Sequence, residues 1–296
     1  MRPIAEYVMR GRMEAITVMA LTTALPILHW IGAAAASLLL LRKGFENSYS
    51  VLALGLIPAV IWAGAGQPET LIVVVCTLAL AAVLRTTSSW VKVLLASVVL
   101  SGLFAMIQPF LYGDEIAKLA DSLLTDPNVS QLIQPMLAGL TGEQMAQVKL
   151  YLPYALAGSM LLSNQLFAVL ALILGRYWQA ALFNPKGFAQ EFHQLRLPVA
   201  MAFGLLVVIL GSAAIAIEAI VLIPVAALPL LITGIAVIHG LVGLGKSPSF
   251  WLIAMYVGLV FLSQAVVPLL IVLALVDSLF DFRGLSAKAK STNGES

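Results

Sequence analysis

"MEAITVMALTTALPILHWIGAAAASLLLL", residues 13–41, is an unbroken apolar run of 29 residues, and its reading decides how the rest of the chain is counted. A helix rising 1.5 Å per residue needs about 20 apolar residues to cross a hydrocarbon core of roughly 30 Å. The run is therefore long for one crossing and short for two. Pro26, inside "LPILHW", removes a backbone donor in mid-run. Two readings compete: one kinked helix, or two short helices over about 13–25 and 28–41 that turn near Pro26–Trp30.

Composition says what surrounds these helices. Of 296 residues 61% are hydrophobic and only 10% charged, and mean hydropathy is +1.02. A soluble domain needs roughly 25% charged residues to cover its surface. This chain's solvent is mostly lipid, so the expected class is all-α: a polytopic transmembrane helical bundle. Further apolar runs lie at roughly 47–64, 69–85, 91–111, 151–176, 197–221, 225–244 and 250–278, giving 8–9 spans in all. A cleavable signal peptide fits the N-terminus poorly, because Glu14 intrudes and the apolar run is too long.

Basic residues choose between the two readings of 13–41. With a short-helix hairpin and a cytoplasmic N-terminus, 11 of the 16 Lys and Arg residues face the cytoplasm; a single helix divides them 8 to 8. The hairpin is preferred. It places an amphipathic loop, 112–148, outside and the 177–196 loop inside. Nine crossings would also place a basic tail, 279–296, outside. Arg283, Lys288 and Lys290 argue for the cytoplasm instead, so one of the last three spans, within 197–278, is suspect. All five tryptophans fall at expected span ends, as in an interfacial belt.

The two loops carry local signals. "DEIAKLADSLL" puts Ile116, Leu119, Ala120, Leu123 and Leu124 on one helical stripe. Asp126–Pro127 reads as the start of a second outer helix, and "TGEQ", 141–144, has capping-box spacing. In the inner loop "RYW", 176–178, reads as a membrane-exit anchor. "NPKG", 184–187, reads as a turn in which Gly187 takes positive φ. Phe188, Phe192 and Leu195 then share one face of a short helix, which lies on the membrane or meets a protein partner.

Chemistry is sparse. No nucleophile elbow, zinc-protease pair, phosphate loop or dinucleotide fingerprint occurs, and Cys76 is the only cysteine. The reading is of a protein that is not an enzyme, with no catalytic residue, metal or cofactor. The net charge of +2 gives no basis for nucleic-acid binding. His29, His193 and His239 fall in separate regions; His239 is an interfacial hydrogen-bonding residue or a proton relay. Arg85 and Asp277, at span ends, can snorkel. The candidate ligand-binding residues are Tyr154, Ser159, Ser163, Asn164 and Gln165 on the most polar span, with Glu218. Glu218 is the one carboxylate well inside an apolar run. Ser159 and Ser163, four apart, also suit close helix packing, as do Ala20 and Ala24.

Several blocks carry a family resemblance. Arg176, Trp178, Gln179, Asn184, Pro185, Gly187, Phe188, Glu191, Phe192, Leu195, Arg196 and Leu197, with "DSLFDFRG" at 277–284 and "AVIHGL" before the penultimate loop, resemble the YybS-like family of bacterial membrane proteins. The likeness covers essentially the whole chain. It departs at Tyr177, where the family pattern has tryptophan, and at Lys186, where it has glycine. That family is in turn distantly similar to the S components of energy-coupling-factor transporters. There an A-x-x-x-A pair, here Ala20 and Ala24, packs against a coupling protein.

The resemblance implies a small-molecule-binding component of an uptake system, in the lipid bilayer, with a membrane-protein partner to supply energy. The other reading is a scaffold or assembly factor. It would dock a protein partner through the 177–196 loop and the C-terminal tail. The partner-docking candidates of the two readings together are Ala20 and Ala24, toward a coupling protein, and Arg176, Trp178, Asn184, Phe188, Phe192, Arg196, Asp277, Asp281 and Arg283.

Overall fold

The computed structural model describes residues 2–126, 137, 139–245 and 247–284, and every regular element among them is helical. The first half comprises α1 (Arg2–Arg10), α2 (Arg12–Ala24), α3 (His29–Lys43), α4 (Tyr49–Gly55), α5 (Ile57–Gly64), α6 (Glu69–Thr87) and α7 (Trp90–Thr125). The second half comprises α8 (Gly142–Phe183), α9 (Gly187–His193), α10 (Val199–Ile215), a 3-10 turn (Ile217–Val221), α11 (Leu222–Gly243), α12 (Phe250–Phe261) and α13 (Ser263–Phe280). Five stretches among the described residues are long and apolar enough to cross a membrane: α6, α7, α8, the 3-10 turn with α11, and α13. The chain is thus built as a multi-pass membrane protein.

The run 13–41 is divided. Leu25 is extended, at φ −104° and ψ 112°, and closes α2; α3 begins at His29 and packs back on α2. Gly32 makes that approach close, since a Cβ there would lie 2.7 Å from both Thr22 Oγ1 and Thr23 Cγ2. From Gly32 to Leu41 every residue of α3 is buried, because α8, α6 and α2 surround it. A helix apolar on all sides belongs in an interior. Gly175 on α8 brings the tightest contact: a Cβ there would strike Ser37 Oγ and lie 2.7 Å from the Ala34 carbonyl oxygen.

Several expected boundaries move. The span expected at 47–64 is two helices, broken at Leu56. The expected outer amphipathic helix is the continuation of α7, which runs through Pro109 for 36 residues, about 54 Å. Pro109 deletes one ladder bond, and the remaining bonds of the helix carry it past. The "TGEQ" capping box is present: Thr141 Oγ1 accepts from Gln144 N at 3.3 Å, and Gln144 Oε1 accepts from Thr141 N at 2.8 Å. It opens α8, which runs 42 residues to Phe183, beyond the exit expected at 176. The helix expected after Pro127, and Lys246, Lys288 and Lys290, lie outside the described residues.

The largest correction is at 250–278, expected as one span. Leu262, at φ −132° and ψ 35°, ends α12 and the chain turns back into α13. A Cβ on Gly258 would lie 2.8 Å from Val266 Cγ2, a contact that residues eight apart in one straight helix, about 12 Å along the axis, do not make. Exposed apolar side chains such as Phe110 (89%), Ile215 (82%) and Phe261 (77%) cover the outside.

Candidate functional site

Polar side chains concentrate in three places. The first is the helix interface of α6, α7 and α8. Gln165 Nε2 donates to Ser97 Oγ at 2.9 Å, and Ser97 Oγ donates to the Leu94 carbonyl at 2.7 Å. Gln108 Nε2 donates to the Ala157 carbonyl at 3.0 Å. Asn164 is 8% exposed and Gln165 3%, yet among the described residues Asn164 Nδ2 and Gln165 Oε1 meet no protein partner. Both line a cavity of about 10 Å³ with Ser97, Ser101, Cys76 and Phe104. That is room for about one water molecule.

The other candidate ligand residues are not gathered there. Ser159 and Ser163 share a face, but it points out of the bundle, and Ser159 Oγ donates to its own helix at the Leu156 carbonyl. Close packing on α8 is supplied instead by Gly158, where a Cβ would lie 3.2 Å from Val221 Cα, and by Gly175. Tyr154 is half-buried nearer the start of α8. Glu218 sits exposed in the 3-10 turn, at the start of the apolar stretch that continues into α11 rather than within a helix interior. Sequence reading missed Ser97, Ser101 and Gln108, whose serine and glutamine spacing along α7 was the available signal.

The second place is a clamp at the end of α13. Asp277, expected to snorkel, is 0% exposed and receives Arg283 Nη2 at 2.6 Å on Oδ2 and Phe282 N at 3.2 Å on Oδ1. Arg283 Nη1 donates to the His193 carbonyl at 2.9 Å. Arg196 donates through Nε to the Asp277 carbonyl at 3.0 Å and through Nη2 to the Ser278 carbonyl at 2.8 Å. Its Nη1 lies 3.3 Å from Asp281 Oδ2. Asp281, left-handed at φ 48°, reverses the chain and makes the clamp possible. Gly240 admits it, since a Cβ there would lie 2.8 Å from the His193 carbonyl oxygen. Burial, with His239 and Arg283 close by, lowers the pKa of His193 below its ordinary value.

The third place is the end of the bundle where α3, α6 and α8 finish. Arg176 makes a two-point ion pair with Glu191, and Glu191 Oε2 also accepts Trp90 Nε1 at 3.1 Å. Arg85 Nη1 donates to the Leu40 and Leu41 carbonyls at 3.2 and 2.6 Å, capping α3. Gln179 Nε2 joins it on the Leu41 carbonyl at 3.3 Å. Arg42 lies over the Phe183 ring at 4.2 Å.

The residues expected to dock a partner are largely engaged within the chain. The apolar face of α9 meets its own bundle: Phe188 packs edge-on to Trp90, Phe192 stacks on Phe188, and His239 meets Phe192 and then Tyr256. His239 Nε2 and the Tyr256 hydroxyl are 3.3 Å apart. Trp178, read as a membrane anchor, is 0% exposed and packs in the cluster that holds Ala5 and Val8 of α1. Trp90 is also buried, so neither belongs to an interfacial belt. In "NPKG" the positive φ falls on Lys186 (71°), not on Gly187, whose Cβ position is occupied by the Asn184 side chain. Ala20 and Ala24 are half-buried beside the exposed Met13, Thr17 and Leu21 of α2. Comparison with protein-family models, curated proteins and solved structures gave no match to this chain.

Proposed function

We propose that the protein is a ten-pass inner-membrane protein, YybS-like, that binds a small polar molecule between α6, α7 and α8 and serves its uptake. The observation that carries the binding site is the pair of buried, partnerless atoms, Asn164 Nδ2 and Gln165 Oε1, facing one cavity. Polar groups inside an apolar bundle are expensive unless a partner or ligand meets them. At about 10 Å³ the cavity has to widen before a molecule larger than water can enter it.

Ten passes are α2, α3, α4 with α5, α6, α7, α8, α10, α11, α12 and α13. Two facts support this count. Trp62 Nε1 donates to the Ala24 carbonyl, so α2 and α5 finish together. Arg283 reaches His193, so α13 returns to the end that carries Arg42, Arg85, Arg176 and Arg196. The even count brings Arg283, just after α13, to the same side as the N-terminus, and the positive-inside rule makes that side the cytoplasm. Uptake and an energy-supplying partner follow from the likeness to S components, with Ala20 and Ala24 on the open face of α2 as the partner contact.

Mass spectrometry of small molecules co-purifying with the detergent-solubilised full chain tests the binding role. A polar molecule retained by the wild type should be lost from N164A and Q165A. A chain that is empty across several growth media, with no coupling partner in the pulled-down proteome, sinks the reading.

A further inference from the structure

Arg42, Arg85 and Arg176 converge on a cavity of about 540 Å³ at the end of α3, α6 and α8, together with Gln179, Asn184 and Ser88. Three guanidinium groups in one cavity repel one another unless something negative lies between them. Glu191 is the only carboxylate among the lining residues, and it is already spent on Arg176 and Trp90. Among the described residues neither Arg42 nor Arg85 has a carboxylate within 4.0 Å. Arg85 spends Nη1 on two carbonyls, and its Nη2 lies 3.0 Å from where a Cβ on Gly44 would stand. Gly44, at φ 79°, thus leaves room for that guanidinium. Arg42 is held from below by the Phe183 ring, and its guanidinium makes no hydrogen bond or ion pair among the described residues.

Capping of helix ends explains part of Arg85 and also Gln179, whose Nε2 meets the Leu41 carbonyl and whose Oε1 accepts Arg176 Nη1 at 3.2 Å, but it leaves the Arg42 guanidinium without a carboxylate among the described residues. Planar guanidinium groups that are pre-positioned, one by a ring and two by hydrogen bonds, suit a tetrahedral oxyanion with several acceptor edges. We infer that this cavity is a phosphate-binding site, filled by the phosphate of an anionic lipid headgroup or by a soluble phosphate. The site is separate from the Asn164 and Gln165 cavity and does not depend on it.

Thermal unfolding of the full chain in dodecylmaltoside, with matched ionic strength, separates the sources. Phosphatidylglycerol at roughly five times its Kd should raise Tm by about 2–4 °C. R42Q should lose at least half of that rise, and R42Q/R85Q all of it. R42Q alone removes no hydrogen bond among the described residues, only the ring contact with Phe183, so it keeps the test valid if the double variant fails to fold. R12Q, an exposed arginine outside the cavity, should keep the rise in full. A rise with phosphatidylglycerol alone assigns the site to lipid; an equal rise with inorganic phosphate assigns it to a soluble phosphate. No rise with either, a rise undiminished in R42Q, or an equal loss in R12Q overturns the proposal.

Discussion

Asp277 and Asn164 are both buried among apolar helices, and their surroundings treat them in opposite ways. Asp277 has each oxygen occupied, and Arg283 and Arg196 are in turn bound to carbonyls of a second segment. Asn164 has its amide nitrogen unpaired, and so has the Gln165 oxygen. An orphaned buried polar atom costs about 1–3 kcal/mol. The saturated cluster is architecture: it ties the end of α13 to the linker between α9 and α10. The unsaturated one leaves two polar atoms to be met by a water molecule or a ligand.

Cutting the saturated cluster gives the largest expected effect. D277A strands the Arg283 guanidinium and should cost about 3–5 kcal/mol in detergent unfolding. D277L/R283L should recover more than half of that loss, because no charge is left alone. A D277A protein with wild-type stability would show the clamp to be ornamental. The unsaturated cluster should respond in the other direction. N164L, close in shape, should hold stability or raise it by about 1 kcal/mol, while Q165L, which takes away the bond to Ser97, should lower it by about as much. Equal losses from both would erase the contrast.

His193 offers a milder probe of the clamp. Its folded pKa is lowered, so at acid pH the unfolded chain binds the proton more readily. Stability should therefore be full above the ordinary value of 6.5 and decline as pH falls below it. H193Q should flatten a Tm profile measured from pH 7.5 to 5.0; a profile unchanged by H193Q would remove His193 from the balance. The smallest effect belongs to K186G. Relief of the left-handed φ, offset by the added freedom of glycine in the unfolded chain, should stabilise by a few tenths to about 1 kcal/mol. Any loss of stability would mean that the Lys186 side chain earns its place.

What could be read beforehand was whatever local chemistry dictates. The helical class, the capping box at Thr141 and the shared face of Phe188 and Phe192 depend on residues within one or two turns. The break at Leu262 was hidden because no glycine or proline marks it; the nearest proline, Pro268, lies a turn and a half inside α13. Trp178 was misread because a tryptophan near the end of an apolar run looks alike at an interface and under a covering helix such as α1. Asp277 and Arg283 are six apart, a spacing no helix brings together, and only the reversal at Asp281 closes it. Yet three segments far apart in sequence, 176–197, the "AVIHGL" segment and 277–284, do meet. Phe192 packs on His239, and Arg283 bonds to His193. Sequence displayed the parts, but their contacts are long-range.

α3 sets a timetable for the chain's birth. Its inward-facing Ala34 and Ser37 are covered by Gly175, which the ribosome adds about 140 residues later. At about 5–20 residues per second that interval is roughly 7–28 s. Through it a 15-residue helix, about 22 Å long and too short to bridge the bilayer unaided, stands next to lipid or the insertion machinery with its future core uncovered. A substitution at Gly175 would prolong that exposure, because α8 could no longer close on Ala34 and Ser37 when it arrives.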